Sequence, residues 1–159
     1  MSVRCGLLLA LLLAVWGCDR PASEHLAEAR AAMSDTAYEE ALSAADAGLA
    51  APGLDDPTRW GLELVRLEAL ARSGQGAETR DLVSELADRH PERFPSAQYA
   101  ATAVQLDKAG DGPAAIEVLD LGMKHHPGDP MISQLISAQQ SGEMGSAELE
   151  MLRTLGYVE

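Results

Sequence analysis

Positive charge is in short supply in this chain: 12 Lys and Arg stand against 25 Asp and Glu in 159 residues. Nucleic-acid binding depends on basic side chains that neutralise phosphates, so the deficit argues against it and against flat adsorption to anionic lipid. The acidity itself reads as solubility. Cysteine is scarcer still. Cys5 lies in an apolar leader, so removal of the leader leaves Cys18 alone and no internal disulfide is possible. Aromatic residues make up 4% of the chain, no stretch alternates apolar with polar, and alanine is abundant. Such a chain packs helices closely through small side chains and builds no strands.

Catalytic motifs are also missing. No G-x-S-x-G elbow occurs, and Gly74-Gln-Gly76 lacks the preceding strand and third glycine of a dinucleotide fingerprint. The pair His125-His126, with Asp129 nearby, invites a metal reading, but adjacent helical residues point about 100° apart. His90 and His126 each precede a proline, where a partly cationic ring complements a helix C-terminus. The acidic pairs Glu39-Glu40 and Asp55-Asp56 fall on an exposed face and in a linker. No catalytic residue, metal ligand or cofactor is expected, and the chain does not read as an enzyme.

Residues 1–17 read as a targeting segment. Arg4 precedes the apolar run Leu7 to Val15, which is signal-peptide length and far short of the ~20 residues that span a bilayer. The following Val15-Trp16-Gly17-Cys18 resembles the bacterial lipobox, which implies acylation of Cys18 and a short linker over 18–21. Each buried CH₂ of an acyl chain contributes about 0.8 kcal/mol, so several chains on one residue hold a domain at a membrane. The resemblance implies a bacterial cell-envelope location on the periplasmic side. Asp19 is similar to an inner-membrane retention signal of enteric bacteria, and the choice of membrane stays open. The alternative is an ordinary cleaved secretory signal.

The rest is organised around Ser96 to Asp129. Tyr99, Ala103 and Leu106 share one helical face, Gly110 breaks the helix, and Ala115, Ile116, Leu119 and Met123 form the stripe of a second helix that ends before Pro127. Sliding the unit back 36 residues puts Gly110 on Gly74, Leu119 on Val83 and Pro127 on Pro91. A further slide puts the turn at Ser34-Asp35-Thr36 and the terminating proline at Pro52, with Thr36 and Glu39 in capping-box spacing.

A helix-turn-helix period near 34 residues resembles the tetratricopeptide repeat. Its large first-helix residue is matched by Trp60 and Tyr99, its small residue by Ala29 and Ala103 with Leu67 between, and its second-helix alanine by Ala41 and Ala115 with Thr79 between. The resemblance implies an all-α, α-α superhelix, a solenoid of about three repeats over 22–55, 60–93 and 96–129. A helix over 130–141 extends the repeat region to 22–141, and a last helix and tail over 146–159 caps the array.

Local signals set the boundaries. Asp56-Pro57 and Asp129-Pro130 read as helix starts, and the helix from Thr58 to Arg72 carries two apolar stripes, as a helix buried on both sides would. Trp60 and Leu67 are expected to be buried.

The same resemblance places first helices on a concave face that takes a protein or peptide partner, and puts Arg30, Met33, Leu64, Glu68, Arg72, Val104 and Lys108 there. Arg72 and Lys108, equivalent by the repeat, are candidates for holding carboxylates of an acidic segment, or else they complement helix dipoles. The function implied is an envelope adaptor. The alternatives are a self-associating structural protein and a non-catalytic enzyme subunit.

Overall fold

The computed structural model describes residues 20–143, and every regular element among them is helical. Cys18 and the C-terminal helix expected from 146 onward lie outside the described residues. The helices are α1 Ala22–Ser34, α2 Tyr38–Leu49, α3 Asp56–Arg72, α4 Gly76–Arg89, α5 Ser96–Lys108, α6 Gly112–His125 and α7 Pro130–Ser141, with a 3₁₀ turn at Pro91–Arg93. The protein is all-α over this range.

Two kinds of connection alternate. Within each of the hairpins α1/α2, α3/α4 and α5/α6 the linker is one tight turn, whereas the hairpins are joined by longer, proline-containing segments. Helices α1, α3, α5 and α7 all end the same way, with a left-handed residue at Thr36, Gly74, Gly110 or Gly142. The next backbone N–H then reaches back to the carbonyl five residues earlier: Ala37 to Ala32, Gln75 to Leu70, Asp111 to Leu106 and Glu143 to Ala138. This closure satisfies carbonyls that a helix end leaves open, and glycine takes its left-handed residue without a Cβ clash. Helices α4 and α6 instead stop at His90 and His126, whose extended φ values of −139° and −126° lead into Pro91 and Pro127.

The first turn departs from its sequence reading. Thr36 has φ +58°, so it closes α1 rather than capping α2, whose N-cap Ala37 receives no side-chain hydrogen bond. An N-cap residue needs extended backbone, and the closing turn demands the left-handed region from the same residue. A β-branched residue there is strained by about 1–2 kcal/mol. Thr36→Gly is therefore expected to stabilise the protein by about 0.5–1 kcal/mol, after the entropy that glycine adds to the unfolded chain. A urea titration with unchanged slope and a higher midpoint is the outcome that checks it.

The start of α3 also shifts by one residue. Asp55, not Asp56, is the N-cap, and its Oδ1 accepts a 2.7 Å hydrogen bond from Thr58 N. That bond holds the Asp55 carboxyl below its usual pKa. Asp129 caps α7 as its sequence implies, accepting from Met131 N at 2.9 Å and Ile132 N at 3.1 Å.

Packing runs between near neighbours. Besides its hairpin partner, α1 packs on α3, α3 on α5, α5 on α7 and α4 on α6. Two apolar cores result, and α3 belongs to both. Leu62, Val65 and Ala69 face the core shared with α1 and α2, while Leu67, Leu70 and Ala71 face the core shared with α4 to α7. Helix α3 is thus buried on two sides, with Leu70 facing the core of Leu67 and Ala71 rather than sharing a stripe with Leu62 and Val65 as its spacing suggests. Leu67 is buried at 1% exposure. Trp60 is only half-buried, with the Arg93 guanidinium 4.5 Å over its ring.

Glycine sets how near the helices come. A Cβ at Gly122 would lie 2.9 Å from Tyr99 Cβ, and one at Gly48 would lie 2.9 Å from His25 Cβ, so in the outer hairpins a large first-helix residue nests against a bare second-helix backbone. Counting back eleven residues from the closing turns puts His25, Glu63 and Tyr99 at one position of the repeat. The large residue of the middle unit matching Tyr99 is therefore Glu63, and Trp60 is a turn out of register. Each of the three carries a covered polar atom without a hydrogen-bond partner: His25 Nδ1, Glu63 Oε2 and Tyr99 Oη.

Candidate functional site

A concavity lies between α1 and α3. Arg30, Met33 and Ser34 line it from α1, and Gly61, Leu64, Val65, Glu68 and Arg72 line it from α3, around a volume of about 450 Å³. Gly61 lets the α1 side chains lie close on α3 beside it: a Cβ there would lie 2.9 Å from Leu26 Cδ2 and 3.5 Å from Arg30 Nη2. A glycine inside a helix costs about 1 kcal/mol relative to alanine, and here close packing of α1 on α3 accounts for it.

The floor is apolar and the rim is charged. Met33 and Val65 are buried, and Leu64 is half-buried. Ser34 Oγ donates at 3.1 Å to the carbonyl of Arg30, so this hydroxyl is already engaged with its own helix. Arg72 Nη2 lies 2.7 Å from Glu68 Oε1 one turn earlier, a favourable order for an i, i+4 pair along a helix. The pairing leaves Arg72 incompletely satisfied, because its Nε is covered and has no acceptor. Arg30 is exposed and makes no ion pair among the described residues.

Five of the seven residues expected on the concave face line this groove: Arg30, Met33, Leu64, Glu68 and Arg72. Val104 and Lys108 do not. Val104 is buried at 3% exposure, and Lys108 is exposed at the end of α5, where it is already engaged in an interaction. By the closing turns, Arg30, Glu68 and Val104 share one repeat position and Arg72 and Lys108 another. At the first of these positions the third unit places a buried apolar residue where the first two are charged, while at the second it keeps a basic one. Sequence reasoning missed Ser34, Gly61 and Val65. Gly61 had a usable signal, since an interior helical glycine asks for a packing reason.

The histidines do not converge. His126 Nε2 is 3.1 Å from the Phe94 carbonyl, whereas His125 Nε2 is 3.7 Å from Asp88 Oδ1. Among the described residues no group of three or more His, Cys, Asp or Glu is placed to hold a metal ion, and no helix is long and apolar enough to cross a membrane. The buried carboxylate Glu63 accepts a 2.7 Å bond from Arg89 Nη1 of α4, and Arg89 Nη2 also donates at 2.6 Å to Glu85. That arrangement ties α3 to α4 rather than opening a polar pocket. No family model, curated protein or solved structure matches this chain.

Proposed function

We propose that this chain is a tetratricopeptide-type repeat protein, tethered to a bacterial envelope membrane through acylated Cys18, that serves as a protein-binding adaptor. The observation that carries the reading is the α1/α3 groove, with an apolar floor and two guanidinium groups at its rim. Stacked helix pairs generate such concave faces, and extended segments or partner helices use them. The alternation of tight closing turns with longer linkers, and the packing of α1 on α3 on α5 on α7, support the solenoid reading.

The anchor and the groove are tested separately. A photo-reactive residue at Leu64 is expected to cross-link a partner in native envelopes, while one at the exposed Ser43 on α2 does not. Equal yields from both positions would remove the groove from the argument. Cys18→Ser is expected to abolish labelling by a fatty-acid analogue and to release the protein from membranes. A mature N-terminus found elsewhere by mass spectrometry would refute the anchor and leave the groove reading standing.

A further inference from the structure

We infer that the linker end of the array lies against the membrane that holds acylated Cys18, with Trp60 and the arginines beside it seated in the lipid headgroup layer and the tight turns pointing away. The inference rests on the reading of Cys18 as the anchor and names the surface that the anchor brings to the lipid.

Topology gathers that end. The tight turns reverse the chain, so the start of α1 and the linkers over 50–55, 90–95 and 126–129 share the end opposite those turns. Contacts join the linkers to one another. Arg93 Nη1 is 2.8 Å from Asp56 Oδ2 at the start of α3, and His126 Nε2 is 3.1 Å from the Phe94 carbonyl. A Cβ on Gly48 would lie 2.9 Å from His25 Cβ, which sets the end of α2 beside the first turn of α1. Asp19, Arg20 and Pro21 alone separate Cys18 from α1, a stretch that reaches about 14 Å at most. So short a tether keeps this end nearest the lipid.

The side chains there suit an interface. Trp60 stands on the first turn of α3 and is half-buried, since the repeat gives the core position of that hairpin to Glu63. The Arg93 guanidinium lies 4.5 Å over its ring, and the His90 ring meets it edge-on at 5.5 Å. Arg59, the preceding residue, is exposed and makes no ion pair among the described residues. An indole flanked by guanidinium groups fits headgroup depth, where the ring meets the upper acyl chains and the arginines reach phosphate. Charge alone does not bring this end down, because Asp55, Asp56 and Glu92 are exposed beside it. The tether supplies proximity and the indole supplies the contact. Exposed Glu40, Glu78, Asp81, Glu117 and Asp120 on α2, α4 and α6 oppose a broader, side-on adsorption.

Trp16 leaves with the leader, so Trp60 is the one tryptophan of the mature chain and its emission reads this contact directly. The test uses acylated protein purified from membranes and reconstituted into phosphatidylcholine vesicles brominated near the headgroup end of the acyl chains. Relative to unbrominated vesicles, Trp60 is expected to lose about half of its emission or more, as an indole at the interface would. Cys18→Ser protein mixed with the same vesicles should lose none. In a Trp60→Phe background, Asp35→Trp should also escape, because Asp35 is exposed at the tight turn between α1 and α2. Protein that sediments with the vesicles while Trp60 stays unquenched would overturn the inference, leave the anchor standing and free that face for a protein partner. Equal quenching at positions 35 and 60 would mean an array lying on its side, and would overturn it as well. Protein that neither sediments with vesicles nor carries an acyl group by mass spectrometry would remove the anchor, and the inference with it.

Discussion

Leu67→Ala is expected to lower the unfolding free energy by about 2–5 kcal/mol, the usual cost of a large buried aliphatic side chain. At 1% exposure, Leu67 stands on the stripe of α3 that enters the larger core, beside Leu70 and Ala71. Its repeat equivalents, Ala29 and Ala103, are both alanine and fully buried, so the middle unit alone fills this position with a large side chain. The surrounding helices are spaced for that volume, and the cavity left by truncation would close only in part. Because α3 serves both cores, the loss is expected to weaken the protein as one unit, with a single urea transition at a lower midpoint and an unchanged slope. Leu64→Ala, on the half-buried groove floor one turn earlier, should cost well under half as much. A loss below about 1 kcal/mol at Leu67, or two separated transitions, would contradict the packing described for α3.

The features that could be read from the sequence are those decided within a few residues. The breaks at Gly74 and Gly110, the prolines after His90 and His126 and the Asp129 cap act through local backbone geometry, and each stands where the sequence places it. The departures come from competition or distance. Thr36 and Glu39 have capping-box spacing, but the closure of α1 claims Thr36 first. Trp60 matches Tyr99 in size but not in register, which the turns place at Glu63. The role of Gly61 depends on Leu26 and Arg30, which come next to it only through the α1/α3 packing. Val104 satisfied the same positional rule as Arg30 and Glu68, yet it is buried, because a repeat position fixes a direction on the helix and not what packs there.

Tyr99 is expected to give opposite results for its two parts. Tyr99→Ala should cost about 3–5 kcal/mol, as removal of a buried aromatic ring does. The ring is fully buried, stands edge-on to Phe94 at 4.8 Å, stacks near His125 at 5.9 Å and seats against the bare backbone of Gly122. Its hydroxyl has no hydrogen-bond partner, so Tyr99→Phe should be neutral or stabilising at pH 7, by up to about 1 kcal/mol. The two proteins should then separate in alkali. Burial, with a smaller contribution from the negative charge of Asp88, pushes the Tyr99 pKa from 10.0 up to about 12. The folded state therefore keeps this proton over a range where the unfolded state has released it. Stability due to the group is fully present below pH 10 and is lost as pH rises through about 12, at no more than about 1.4 kcal/mol per pH unit. Lysine and arginine titrate in both proteins, so the difference between wild type and Tyr99→Phe isolates the phenol. Urea midpoints measured from pH 9 to 11.5 should fall more steeply for wild type than for the phenylalanine variant. Parallel curves would mean that the hydroxyl reaches water or an acceptor, and the nesting of the ring against Gly122 would have to be looser than described.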